Sequence, residues 1–219
     1  MAVGMGEVWR KTFLLWSKSS EYLSLVTSTR VKLYETIRQN RCYVAFSGGK
    51  DSTVLLHLAL QIQQDIPVWH WDYGVYIPRQ VEAEIQSNMK CLGATNVTVS
   101  ESVNQGNVAF FCEANRFMQD KSLEVALVGL RKEESYRRKR KIGRGLKGEV
   151  YPLADWGWRD VWAYIVSNGL PYPRLYDVYG PVLGYDRARF VTFFDSEFDH
   201  LGASYVDGYF FPQFRNSNT

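Results

Sequence analysis

The sequence predicts an α/β fold in which helices cover both faces of a parallel sheet. Three observations carry that reading. Short β-rich apolar runs alternate with longer stretches of helical spacing. The first such run ends in Ser47, Gly48 and Gly49, directly before a helical stretch. Finally, 219 residues, 46% hydrophobic and 22% charged, suit one domain with a short extension rather than two catalytic domains.

The first forty residues read as a helical cover. Trp9, Phe13, Trp16, Tyr22 and Leu25 recur near helical spacing, and Val31, Tyr34 and Ile37 continue it. Residues 42–46 form a buried strand, and 51–64 a helix with Val54, Leu55, Leu58 and Ile62 inward. A strand over 67–71 and a helix over 78–92 follow, then a strand over 96–100 and a helix over 107–118. The fourth strand covers 123–128 and stops at Gly129. Strands separated by whole helices pair in parallel, because each crossover returns the chain to the same end of the sheet. One more helix starts at Asp155 or Gly157 and is closed by Gly169 and Pro171. No period holds beyond Val178. The expected organisation is a helical cover over 1–40, the main domain over 41–180, and a mostly irregular aromatic extension over 181–219.

Ligands of open parallel sheets gather at the carboxyl ends of the strands. Those ends are Ser47, Asp72 and Gly129. After the first, Gly48 and Gly49 clear side chains from where backbone must approach an anion. Ser47, Ser52 and Thr53 add hydroxyls, and the following helix contributes unpaired N–H groups and the positive end of its dipole. Lys50 adds a mobile charge. Together these make a pyrophosphate cradle. It is not a Walker A loop, because Lys50 is followed by Asp51 and the upstream glycine is missing. Asp51 is out of place in an anion site; it suits a Mg²⁺ ligand or a helix cap.

Ser-Gly-Gly-Lys-Asp-Ser over 47–52 resembles the phosphate loop of the adenine nucleotide alpha-hydrolase superfamily, the PP-loop ATP pyrophosphatases. The resemblance implies a Rossmann-like domain that cleaves ATP between the α and β phosphates, usually adenylating an acceptor with release of pyrophosphate. Two further segments are similar to the phosphoadenosine phosphosulfate (PAPS) reductase family. Asp72 and Gly74 resemble its Asp-Thr-Gly segment, with Tyr73 in place of threonine. This implies an adenine contact from backbone over 71–73, with Asp72 among the nucleotide-binding residues. Gly129, Arg131, Glu134, Ser135 and Arg138 match its Gly-[Ile/Leu]-Arg-x-x-Glu-Ser-x-x-Arg segment. There Arg131 and Arg138 are expected to clamp phosphate or sulfate oxygens with planar donors. Glu134 is expected to orient an arginine or assist a metal. Pro152, Leu153, Trp156, Asp160 and Trp162 match the segment that follows and are read as the wall of the site.

Two departures point to ATP rather than a sulfonucleotide. The family's reductases carry a nucleophilic cysteine near the C-terminus, and no cysteine follows Asp177 here. They also usually carry a degraded phosphate loop, which is intact in this chain. The stretch is similar to the catalytic subunit of ATP sulfurylase and to eukaryotic-type FAD synthase. The resemblance therefore implies ATP and Mg²⁺ as cofactors, Lys50, Asp51 and Arg131 as catalytic residues, and a partner subunit. Sulfate, a flavin phosphate and an oxygen of a nucleic acid, as in DNA phosphorothioation, are the acceptors considered. Sulfonucleotide binding or reduction, FAD-synthase-type transfer and a non-catalytic nucleotide-binding subunit stay open.

Charge is concentrated in one segment. Nine basic and three acidic residues fall between Arg131 and Glu149, whereas the rest of the chain carries 17 basic and 20 acidic. Arg137, Lys139, Arg140, Lys141, Arg144 and Lys147 could track a DNA or RNA backbone. Cys42, Cys91 and Cys112 are scattered, which disfavours a disulfide framework, a zinc ribbon and an iron–sulfur cluster, and reads as small hydrophobes packed in the core. His57, His70 and His200 are equally dispersed. No apolar run reaches membrane-spanning length, and 13–16 is too short for a secretory core, so a cytoplasmic protein is expected.

Overall fold

The computed structural model describes residues 5–72, 74, 77–101, 107–186 and 188. Five strands form one parallel sheet: β1 (Cys42–Phe46), β2 (Val68–Asp72), β3 (Val97–Glu101), β4 (Val125–Val128) and β5 (Glu149–Val150). Their order across the sheet is β3-β2-β1-β4-β5. The chain therefore builds outward from β1 to β3, then crosses back to lay β4 along the other side of β1. That reversal opens a crevice above the carboxyl ends of β1 and β4.

Alternation along the strands sorts the two faces. Val44, Phe46, Val68 and Leu127 belong to the larger core, packed under α3 (Lys50–Leu60), α4 (Arg79–Cys91) and α7 (Trp158–Ser167). Tyr43, Trp69, Trp71 and Ala126 point to the opposite face, where α5 (Asn107–Asp120) packs through Phe110, Ala114 and Phe117. The helix α6 (Tyr136–Arg144) lies in the β4–β5 crossover and buries none of its residues.

The N-terminal helical pattern is broken into α1 (Glu7–Trp16) and α2 (Ser20–Gln39). Ser19 starts the second helix, its hydroxyl accepting from the Tyr22 N–H at 3.2 Å. α1 docks on α7: Phe13 is buried beside Trp162 and Trp158, and Trp16 Nε1 donates to Asp160 at 2.7 Å. Thr29 of α2 accepts from Trp156 Nε1 at 2.8 Å. A further helix, α8 (Leu175–Leu183), follows α7; sequence periodicity did not reveal it, since it carries Gly180 and Pro181. Residues 189–219, including most of the expected extension and His200, lie outside the described residues.

Of the cysteines, Cys42 is buried, and burial pushes its thiol up to about 11. Cys91 and Cys112 are exposed, contrary to the packed reading, because each falls on the solvent side of its helix. Among the described residues no helix is long and apolar enough to cross a membrane.

Candidate functional site

The turn after β1 is held open by its own side chains. Ser47 N–H donates to Ser52 Oγ at 3.3 Å, and Ser52 Oγ donates to the Gly49 carbonyl at 2.9 Å. The two hydroxyl oxygens are 3.2 Å apart. Gly48 has φ +81°, and a Cβ there would come within 2.7 Å of Ile85 on α4. Only glycine satisfies both demands. Gly49 is the N-cap of α3. The Asp51 and Ser52 N–H groups in its first turn have no intrahelical carbonyl to bond. Lys50 N–H is taken by the Tyr176 hydroxyl of α8 at 3.1 Å.

This turn forms one wall of a cavity of about 190 Å³ above β1 and β4. Ser47, Gly49, Asp51 and Ser52 face it from the turn, and Gly129, Glu134 and Arg138 from the segment after β4. Trp69, Trp71 and Phe110 close the aromatic side. A Cβ at Gly129 would lie 3.1 Å from Asp51 C and Ser52 N, so the two walls approach backbone to backbone.

Lys50 differs from expectation. Its side chain is fully buried, with Nζ 3.2 Å from Asp51 Oδ2 and 5.7 Å from the Tyr176 ring centre. It is an internal cation rather than a mobile one, and it does not form part of the cavity wall. Burial pulls the ammonium below its ordinary value, and Asp51 opposes that pull.

Asp51 does not cap the helix; it joins Lys50 to Arg131, whose Nε donates to Asp51 Oδ1 at 2.5 Å. Burial alone would raise the Asp51 carboxyl, but Arg131 and Lys50 outweigh it and hold the group at about 2. Arg131 is 2% exposed and caged. It also donates to Glu133 at 2.9 Å, and its backbone N–H donates to Glu134 at 3.1 Å. Glu133 accepts from the Trp158 N–H at 2.6 Å, which ties the cage to the start of α7. Three carboxylates converge on the Arg131 guanidinium, so Arg131 forms an internal bridge between the start of α3 and the segment after β4. Arg138 does face the cavity, ion-paired to Glu134.

As a cation site the donor set is unsuitable. Both Asp51 oxygens are engaged by cations, Glu134 is paired with Arg138, and no group of three acidic, histidine or cysteine residues that could hold a metal occurs among the described residues. Any Mg²⁺ would be held chiefly by the phosphates that bring it.

Asp72 lies apart from this cavity. It accepts from Arg79 at 2.6 and 2.7 Å and from the Gly74 N–H at 2.8 Å. The Arg79 hydrogen bonds hold it below the usual carboxylate range. It shapes the β2–α4 turn. Tyr73 lies outside the described residues. Trp71 is among the residues lining the cavity.

Sequence reasoning missed Trp69, Phe110 and Tyr176. The first has a local signal: in Trp-His-Trp over 69–71, the two tryptophans share one sheet face. Tyr176 has none, since it reaches Lys50 from 126 positions away.

A doubly wound parallel sheet with a serine- and glycine-lined cradle at its switch point defines a nucleotide-binding α/β domain. More narrowly, the chain belongs to the family of the phosphoadenosine phosphosulfate reductase domain, whose model matches residues 41–202. An adenosine 5'-phosphosulfate reductase of Bacillus cereus (strain 03BB102) is 27% identical over 206 residues, covering 83% of this chain and 86% of the relative. Sulfate adenylyltransferase subunit 2 of Mycobacterium sp. (strain KMS) is 28% identical over 183 residues, covering 62% of this chain and 58% of that one. Among solved structures, FMN adenylyltransferase of Candida glabrata, in complex with FAD and inorganic pyrophosphate, matches with a TM-score of 0.59 at 15% identity. That match covers 77% of this chain and 66% of the other and reflects a shared fold.

Proposed function

We infer that the chain binds ATP and transfers its adenylyl group to an anionic acceptor, releasing pyrophosphate. The observation that supports this reading most is the intact cradle: a Ser-Gly-Gly turn whose glycine tolerates no side chain, opening with the first turn of α3 onto the cavity. The Asp51 and Ser52 N–H groups and the Ser47 and Ser52 hydroxyls would stabilise charge on the leaving pyrophosphate. Each well-aimed donor contributes about 3 kcal/mol to such a step. Arg138 would meet the α-phosphate or the acceptor anion. Lys50, Asp51 and Arg131 are positioning residues: their buried charges fix the start of α3 against the segment after β4.

An oxygen of the acceptor forms a bond to the α-phosphorus, the bond toward the β-phosphate breaks, and its electron pair leaves with pyrophosphate. An acceptor that is already anionic needs no general base. The sulfate adenylyltransferase relative and the FMN adenylyltransferase neighbour are named for transfers of this kind.

The similarity to adenosine 5'-phosphosulfate reductases favours a second reading, binding or reduction of a sulfonucleotide. One experiment separates the two. Purified protein is given ATP and Mg²⁺ with sulfate or FMN as the acceptor, and in a separate arm adenosine 5'-phosphosulfate with a thiol reductant. Pyrophosphate release that Ser52→Ala reduces supports adenylyl transfer; release of sulfite without pyrophosphate refutes it.

A further inference from the structure

Beside the cradle, the sheet face that α5 only partly covers is hollow. The reason lies in the strand sequences. Ala45 and Ala126 occupy the floor on β1 and β4, where larger residues would fill the space between α5 and α6, and Gly148 continues it toward β5. On the far side, α6 offers charged side chains and no buried apolar residue. The result is a groove of about 450 Å³, within the range of small-molecule sites, roughly 300–1,000 Å³.

Its chemistry is divided. Phe110 and the exposed Phe111 supply aromatic surface over a floor in which Tyr43 and Trp69 are packed, with Trp69 and Phe110 meeting edge to face at 5.1 Å. The opposite wall carries Arg137, Arg138, Lys141 and Lys147 against one carboxylate, Glu149, which is engaged by Lys141 at 2.9 Å and Tyr151 at 2.6 Å. Part of the basic segment thus faces inward over an aromatic floor. The groove also opens into the cradle cavity: Ala45, Trp69, Phe110, Val128, Leu130 and Arg138 line both.

We propose that this groove is the acceptor site and that it takes a planar aromatic molecule carrying a phosphate or similar anion. The proposal rests on the adenylyl-transfer reading and narrows it. Sulfate alone would leave the aromatic side unused, whereas a ring against Phe110 and Phe111 with its anion on the α6 cations uses both walls. Arg138, on the wall shared by the two cavities, would bring the acceptor's anionic oxygen toward the α-phosphorus. The bond changes are those given above, with no oxidant or reductant required.

The test titrates FMN by quenching of its fluorescence, with and without a saturating non-hydrolysable ATP analogue. Riboflavin, inorganic sulfate and a short DNA duplex serve as comparison probes. FMN is expected to bind in the presence of the analogue, and riboflavin, lacking the phosphate, at least tenfold more weakly. Ala126→Leu, which fills the floor, and Lys147→Glu, which reverses an exposed wall charge, should each weaken FMN tenfold or more. Affinity for the analogue should stay within twofold and melting within a few degrees. The proposal is overturned if FMN does not bind, if neither variant changes its affinity, if FMN and the analogue exclude one another, or if sulfate or the duplex alone engages the groove. Pyrophosphate release from ATP, measured in parallel, keeps the two readings distinct. Release without FMN binding removes the acceptor assignment and leaves adenylyl transfer; groove-dependent FMN binding without release does the reverse.

Discussion

Replacing Asp51 with asparagine keeps the shape of the cradle and removes the charge that joins two buried cations. Lys50 is fully buried and Arg131 nearly so, at 0% and 3% side-chain exposure, and Asp51 lies 3.2 and 2.5 Å from them. Lowering the carboxyl from 3.8 to about 2 corresponds to roughly 2–3 kcal/mol of folded-state stability. Breaking one side of a buried ion pair typically costs about 3–5 kcal/mol. Arg131 keeps Glu133 and Glu134, so the lower part of that range, about 3 kcal/mol, is expected for Asp51→Asn at pH 7. For a chain of this length that is a fall in Tm of about 6–12 °C. The pH dependence has a definite sign. A depressed carboxyl stabilises the fold above its unfolded value, and that contribution disappears as pH falls through about 2. The variant therefore lacks this part of the acid limb. In the variant Lys50 loses the carboxylate that opposed its depression, so the deficit shrinks as pH rises and the folded-state amine becomes neutral. Thermal melts at pH 3, 7 and 9.5, with Lys50→Met/Asp51→Asn as a partial rescue, read all of this. A variant melting within about 2 °C of the parent at pH 7 would refute the internal bridge.

Gly48→Ala meets a positive φ and a contact at 2.7 Å, so it should destabilise the fold by about 2–3 kcal/mol and weaken ATP at least tenfold by calorimetry. Shortening the neighbour in Gly48→Ala/Ile85→Ala should return only part of the stability, because the backbone strain remains. Arg79→Ala removes a partner that is 57% exposed and outside the cavity. Urea melts should then show a loss of about 1 kcal/mol or less, with unchanged ATP binding; a large loss of affinity would return the β2–α4 turn to the nucleotide site. Trp16→Phe deletes the donor to Asp160 at 2.7 Å while keeping an aromatic side chain. It should cost about 1–2 kcal/mol and raise hydrogen exchange in α1 before that in the sheet.

The elements of the sheet were legible because their patterns are local. The short β-rich apolar runs at 42–46 and 67–71 and the apolar spacing of 51–64 each report a surface that must be buried, whatever the partner. The break between α1 and α2 depended on Ser19 acting as a cap inside a continuous apolar period. α6 has no apolar stripe to detect, and β5 is two residues long. At the site, the turn declared itself through Ser47, Gly48 and Gly49, whose constraints are backbone constraints. The orientations of Lys50, Asp51 and Arg131 did not. Charges read along a chain suggest what they can attract, but their partners are chosen by tertiary contacts, here 80 positions apart.

That separation bears on synthesis as well as on stability. The cradle turn emerges early, yet it is braced by Arg131, which follows β4, and by Tyr176 of α8. A nascent chain exposing only β1 through β3 has the phosphate loop without its braces. It also leaves one side of β1 unpaired, since Leu127, the β4 partner of Val44, has not yet emerged. Nucleotide thus has no finished site to bind until β4 and α8 have emerged, and it stabilises the protein only after the central strands have met.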